Sequence, residues 1–119
     1  MTPRPLHLHL VAIGGTGMAP LACLLQAQGH LVTGSDGPLY PPMSQLLEAA
    51  GIRPLVGYSA AHLQPEPDVV IVGNAVRRDN PEAVETERLG LPRLSMPEAR
   101  QISTRPSASR RSRMPKLQR

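Results

Sequence analysis

Leu8-His9-Leu10-Val11-Ala12-Ile13-Gly14-Gly15-Thr16-Gly17-Met18-Ala19-Pro20-Leu21-Ala22 is the stretch on which the fold turns. Leu8 to Ile13 is short, apolar and β-branched towards its end, as a central parallel strand requires. Gly14, Gly15 and Gly17 then supply backbone freedom and remove side chains, so that a ligand can approach the main chain. From Met18, apolar residues recur at helical spacing through Leu21, Cys23, Leu24 and Leu25. A helix starting at Met18 turns unpaired N–H groups and a partial positive charge towards the glycine turn, a ready site for phosphate or pyrophosphate.

The dinucleotide fingerprint G-x-G-x-x-G would place glycines at positions 12, 14 and 17. Here they are Ala12, Gly14 and Gly17, so the first is altered, but the strand before and the helix after are in place. The fingerprint also asks for an acidic residue at the end of the second strand about 20 residues on. His30-Leu31-Val32-Thr33-Gly34-Ser35-Asp36 supplies it.

The remaining elements follow from local signals. Gly29 ends the first helix. Pro38, Pro41 and Pro42 stiffen the loop after Asp36. Met43 to Ala50 reads as a short helix with Leu46 and Leu47 facing inwards. Ile52 to Val56 reads as a short edge strand, because Pro54 removes a ladder donor. Ser59 caps a helical turn that carries His62 at the surface. Asp68 to Gly73 is a second buried strand, and its carboxyl end brings Asn74 near Gly15 and Asp36 if the three strands are neighbours. Asn80-Pro81-Glu82 opens a third helix with a cap, a proline at its first position and an acid in its first turn. Gly90 closes it, and Leu91 to Leu94 is the last short strand. Ser95-x-x-Glu98 is a capping box whose helix is expected to stop near Arg100 for want of an apolar period.

The expected architecture is thus α/β: a Rossmann-like parallel sheet of about five strands with flanking helices over residues 1–100, then a disordered Ser/Arg-rich tail over 101–119. The net charge of +4 hides this division. Residues 1–100 hold seven arginines and all nine acids, whereas 101–119 hold six cations and no acid. Without Trp or Phe the core must be aliphatic. Cys23, the only cysteine, excludes an intrachain disulfide and reads as a buried structural thiol. His7 and His9 share one strand face as packing or site-edge residues, and no cluster has metal-ligand spacing. Neither a leader with a small-residue cleavage site nor a membrane-length apolar run is visible, so a cytoplasmic location is expected. Nucleic acid is not an expected partner: the tail is basic but offers no aromatic residue for stacking.

Strand, glycine loop, helix, and a strand ending Gly34-Ser35-Asp36 together resemble the N-terminal domain of the Mur ligases. Tyr40-Pro41-Pro42-Met43-Ser44, Gly57-Tyr58 and Val72-Gly73-Asn74-Ala75 followed by Asn80-Pro81 look like the branch that recycles murein tripeptide. The resemblance covers about residues 6–98. It implies a domain that holds the UDP part of UDP-N-acetylmuramate or a related UDP-sugar. Gly14, Gly15, Thr16, Gly17 and Met18 would face the diphosphate, Ser35 and Asp36 the uridine, and Asn74 and Ala75 the diphosphate–sugar side. Whole Mur ligases use ATP and Mg²⁺ on further domains. This chain has no G-x-x-x-x-G-K-[ST] loop and its one lysine is Lys116, so no catalytic residue and no cofactor is assigned to it; the missing ligase domains would come from another chain. Three alternatives remain on the sequence: a fragment of the L-alanine-adding Mur ligase, an NAD-type dinucleotide module, and a non-enzymatic protein acting through its tail.

Overall fold

The computed structural model describes residues 5–104. Five strands, β1 (His7–Val11), β2 (Leu31–Asp36), β3 (Leu55–Val56), β4 (Val69–Val72) and β5 (Arg93–Ser95), form one sheet in the order β3-β2-β1-β4-β5. Every pairing is parallel. Three helices, α1 (Met18–Ala27), α2 (Met43–Ala49) and α3 (Pro81–Leu89), and a 3-10 turn at Ala60–Leu63 connect them, and α4 (Met96–Thr104) follows β5. The expected α/β parallel sheet of five strands is therefore the observed one.

Side-chain alternation along β1 divides the core. Leu8 and Leu10 point into the larger cluster, with Ala19, Ala22 and Leu25 of α1, Leu47 of α2 and Ala99 of α4. His9 and Val11 point to the other face, where Val11 meets Leu63, Val70 and Leu91. Gly34 of β2 lets the chain after β1 cross closely: a Cβ there would lie 2.8 Å from both the Ile13 Cβ and the Leu10 carbonyl oxygen.

Several elements depart from the sequence reading. β1 stops at Val11, not Ile13, because Ala12 turns into the left-handed region at φ 70°. Leu46 is exposed, since only Leu47 of the pair lies on the inner side of the short helix α2. Cys23 is half-buried, with Sγ 3.6 Å from the Leu46 carbonyl; burial pushes its thiol pKa up. Ile52 is buried but lies outside β3. The helix opened at Ser95 does form, and α4 runs through the expected boundary at residue 100 to Thr104. Met96, Ala99 and Ile102, spaced three apart, pack on the larger cluster, an apolar period too short to register in the sequence. The rest of the expected tail, 105–119, lies outside the described residues.

Ala12 occupies the altered glycine position at a backbone angle that disfavours any Cβ, by about 1–2 kcal/mol. Ala12→Gly is expected to raise stability by about 0.5–1 kcal/mol after the added freedom of the unfolded chain is allowed for. For a domain of this size that is a rise of several degrees in melting temperature. A lower melting temperature would mean that the Ala12 methyl contributes packing that outweighs the strain.

Candidate functional site

β1 lies between β2 and β4, so the chain leaves the sheet in opposite directions on its two sides. The crevice at the carboxyl ends of these three strands is the switch point where open α/β sheets take ligands. Three segments meet there: the glycine loop after β1, Asp36 at the end of β2, and the turn Gly73–Val76 after β4.

The loop is held by its own backbone. Ala12 and Ile13 N–H both donate to the Ser35 carbonyl, at 2.8 and 3.1 Å. Gly15 N–H donates to the Ala12 carbonyl, and the Gly15 carbonyl accepts from Met18 and Ala19 at 3.1 and 2.9 Å. Among the described residues, the amides of Thr16 and Gly17 donate to nothing, and no side chain caps α1. These two N–H groups sit at the positive end of a ten-residue helix, with Gly15 and Thr16 exposed. Gly17 packs closely under Met96: a Cβ there would lie 2.6 Å from the Met96 sulfur, so the methionine's flexible end would have to move aside. Gly73 N–H donates to the Val11 carbonyl at 3.2 Å, which draws the β4 turn against the loop. Asn74 and Ala75 are exposed at its tip, and Arg77 pairs with Asp79 at 3.3 Å.

Asp36 faces the crevice but is already engaged. Its Oδ2 accepts from Gly14 N–H at 2.8 Å, and its Oδ1 accepts from Gly37 N–H at 2.7 Å and from the Tyr58 hydroxyl at 3.3 Å. Beyond it, Gly37, Leu39, Ile52, Arg53 and Val56 line an open groove of about 590 Å³. Two residues of the expected set turn away. Met18 is buried, with its side chain in the core. Ser35 is fully buried, and its hydroxyl points to the far face of the sheet.

That far face holds a polar cluster which the sequence reading missed. Glu82, fully buried, accepts from His9 Nε2 at 2.8 Å on Oε1, and from His62 Nδ1 at 2.7 Å and Ser59 N–H at 3.1 Å on Oε2. Burial alone would raise its pKa, but hydrogen bonds from His9, His62, Ser35 and the Ser59 amide prevail and hold it below the usual carboxylate range. Thr33 Oγ1 bridges His9 Nδ1 at 2.9 Å and His7 Nε2 at 3.0 Å, giving its one proton to one ring and accepting from the other. Burial, and then the neighbouring His9, lower the His7 pKa. His62 is thus only partly at the surface, its side chain 21% exposed and drawn inwards by Glu82. The available signal was the period-two polar set His7, His9, Thr33 and Ser35 on strands otherwise read as buried, since buried polar groups require partners.

Ser35, His62 and Glu82 are the residue types of a hydrolytic triad, but the geometry is wrong for one. Ser35 Oγ and Glu82 Oε2 both meet the same atom, His62 Nδ1, at 3.1 and 2.7 Å, whereas a triad uses the two ring nitrogens separately. The serine is also sealed from solvent. No group of three His, Cys, Asp or Glu among the described residues could hold a metal.

Fold and crevice define a doubly wound α/β domain with a glycine loop at its switch point. Residues 7–105 match the family model described as "Mur ligase family, catalytic domain", and the chain belongs to that family. It is 46% identical over 93 residues to the Escherichia coli K12 UDP-N-acetylmuramate–L-alanyl-γ-D-glutamyl-meso-2,6-diaminoheptandioate ligase, covering 78% of this chain and 20% of that protein. It is 40% identical over 89 residues to the UDP-N-acetylmuramate–L-alanine ligase of Carboxydothermus hydrogenoformans, covering 75% of this chain and 19% of that one. Among solved structures, the murein peptide ligase of Psychrobacter arcticus 273-4 superposes with a TM-score of 0.75 at 47% identity, over 82% of this chain and 20% of that one. The chain spans about a fifth of the length of the curated relatives it matches.

Proposed function

We propose that this chain is the UDP-N-acetylmuramate-binding domain of a Mur ligase of peptidoglycan recycling, and that it binds the UDP part of its ligand without itself forming an amide bond. The observation that carries the reading is the pair of unpartnered amides, Thr16 and Gly17, at the open start of α1 in a chain of this family. No Lys or Arg lies within the loop, so N–H groups and the helix dipole are what a diphosphate would meet there. On this reading the uridine would take the groove beyond Asp36 on the β2 side, and the exposed Asn74 and Ala75 would border the sugar side. Of the nine residues expected at the site, Ser35 and Met18 serve it through their backbone and packing.

In this reading the rest of the ligase, with its ATP and Mg²⁺, resides in domains outside these 119 residues, and the setting is the cytoplasm. No helix among the described residues is long and apolar enough to cross a membrane. The murein-tripeptide branch is favoured by Tyr40-Pro41-Pro42-Met43-Ser44 and Gly73-Asn74-Ala75.

Calorimetric titration with UDP-N-acetylmuramate, UDP and NAD tests the assignment. Binding of both uridine ligands and none of NAD is expected, with no phosphate release from ATP when murein tripeptide is added. Tighter binding of NAD would overturn the ligand assignment. Substrate-dependent phosphate release by the purified chain, with a full-length ligase as control, would overturn its catalytic part.

A further inference from the structure

The segment Gly57–Ser59, which follows the edge strand β3, is tied down at each of its three residues. Gly57 N–H donates to the Asp36 carbonyl at 2.7 Å. The Tyr58 hydroxyl donates to Asp36 Oδ1 at 3.3 Å. Ser59 N–H donates to Glu82 Oε2 at 3.1 Å. The Tyr58 ring is half-buried against Val11, Leu63, Val70 and Leu91, which fixes the direction of its hydroxyl. One short strap thus joins the end of β2 to the first turn of α3, the helix that follows the Gly73–Asn80 turn.

We propose that Tyr58 is a positioning residue of the nucleotide site, acting through Asp36 on the glycine loop. This rests on the nucleotide reading of that loop. A carboxylate is free to rotate about its last torsion, and its orientation is set by the donors around it. Here Gly37 N–H and Tyr58 O–H converge on Oδ1, which leaves Oδ2 directed at Gly14 N–H, 2.8 Å away. Gly14 is the first glycine of the loop, so its placement sets where the Thr16 and Gly17 amides point. Burial, and then the charge of Asp36, push the Tyr58 pKa up to about 12, so the hydroxyl keeps the proton it donates throughout the neutral range. At 3.3 Å the Tyr58 contact is long for a hydroxyl, and the effect of removing it is correspondingly moderate.

Tyr58→Phe keeps the ring and removes only the donor. Its melting temperature should stay close to that of the parent chain. In the ligand-free protein, the Gly14 amide resonance should move and exchange faster with solvent. The dissociation constant for UDP should rise about three- to tenfold. Asp36→Asn cannot accept from all three donors, so it should weaken UDP binding more and make Tyr58→Phe silent in the double variant. An unchanged Gly14 resonance with unchanged UDP affinity in Tyr58→Phe would overturn the proposal. So would simple additivity of the two substitutions. Failure of the unsubstituted chain to bind UDP would count against the nucleotide reading, and the Gly14 resonance, read without ligand, would still decide whether Tyr58 positions the loop.

Discussion

Glu82→Ala is expected to destabilise the domain by about 3–5 kcal/mol, enough to leave much of a marginally stable chain unfolded. The carboxylate is fully buried and accepts from His9, His62 and the Ser59 amide. Removing it leaves those donors facing a cavity, and each unmet buried donor costs about 1–3 kcal/mol. Glu82→Gln keeps the volume and one acceptor, so its loss should be smaller. The pH dependence has a definite sign. The folded Glu82 pKa lies below its ordinary value of 4.5, so its contribution is complete above the unfolded value and is lost as the pH falls through the folded one. Burial lowers His7 and His30 from 6.5, so each favours the folded state fully above 6.5 and loses that contribution as the pH falls through its folded value. Urea denaturation from pH 7 to pH 3 should therefore show stability falling in two stages, and Glu82→Gln should reduce the part below about 4.5, leaving the share of Glu85, which its hydrogen bond from Arg88 also holds below 4.5. Parent-like stability of Glu82→Ala at pH 7 would show that the cluster does not hold the far face of the sheet together.

The elements that were legible in the sequence are those whose signals are local. Val69–Val72 is uniformly β-branched; Asn80 caps α3 by accepting from the Glu82 amide at 2.8 Å; Ser95 and Glu98 exchange backbone and side-chain bonds as a capping box should. The glycine loop was legible as a loop, and β1 does lie between β2 and β4 as the placement of Asn74 beside it required. What was not legible depends on contacts distant in the chain. Glu82 looks like an ordinary first-turn acid until β1, 73 residues earlier, brings His9 to it. Asp36 looks like a free ligand acceptor until the fold places Gly14, 22 residues earlier, within 2.8 Å of its carboxylate. The strained angle at Ala12 was hidden for the opposite reason: alanine is unremarkable in sequence, and only the turn around Gly14 and Gly15 forces it to φ 70°. α4 continues past Arg100 because α1 offers Met96, Ala99 and Ile102 a surface, which no property of residues 101–104 themselves reveals.

Gly15→Val should abolish uridine-nucleotide binding, by at least about a hundredfold or roughly 2.7 kcal/mol, while leaving the fold in place. Gly15 is exposed, and the nearest atoms to a Cβ built on it are the Ala12 carbonyl oxygen and the Met18 Cγ, both at 3.6 Å, and the Met18 Cβ at 3.7 Å, all ordinary contacts. Its φ is not left-handed, so valine adds no backbone strain of the kind Ala12 already carries. At Gly34, by contrast, an added Cβ would collide with the Ile13 Cβ and the Leu10 carbonyl oxygen, and any change in binding would be confounded with unfolding. A branched side chain at Gly15 stands beside the Thr16 and Gly17 amides and keeps a diphosphate from approaching the start of α1. The N–H groups would remain oriented but out of reach, so no rearrangement of the ligand recovers their bonds. Circular dichroism melts should show little change, while calorimetry with UDP-N-acetylmuramate shows no heat of binding. Unchanged affinity would move the site off the loop. A large fall in melting temperature would mean that Gly15 serves the strand-to-helix turn alone, and that the open amides beside it have no ligand to hold.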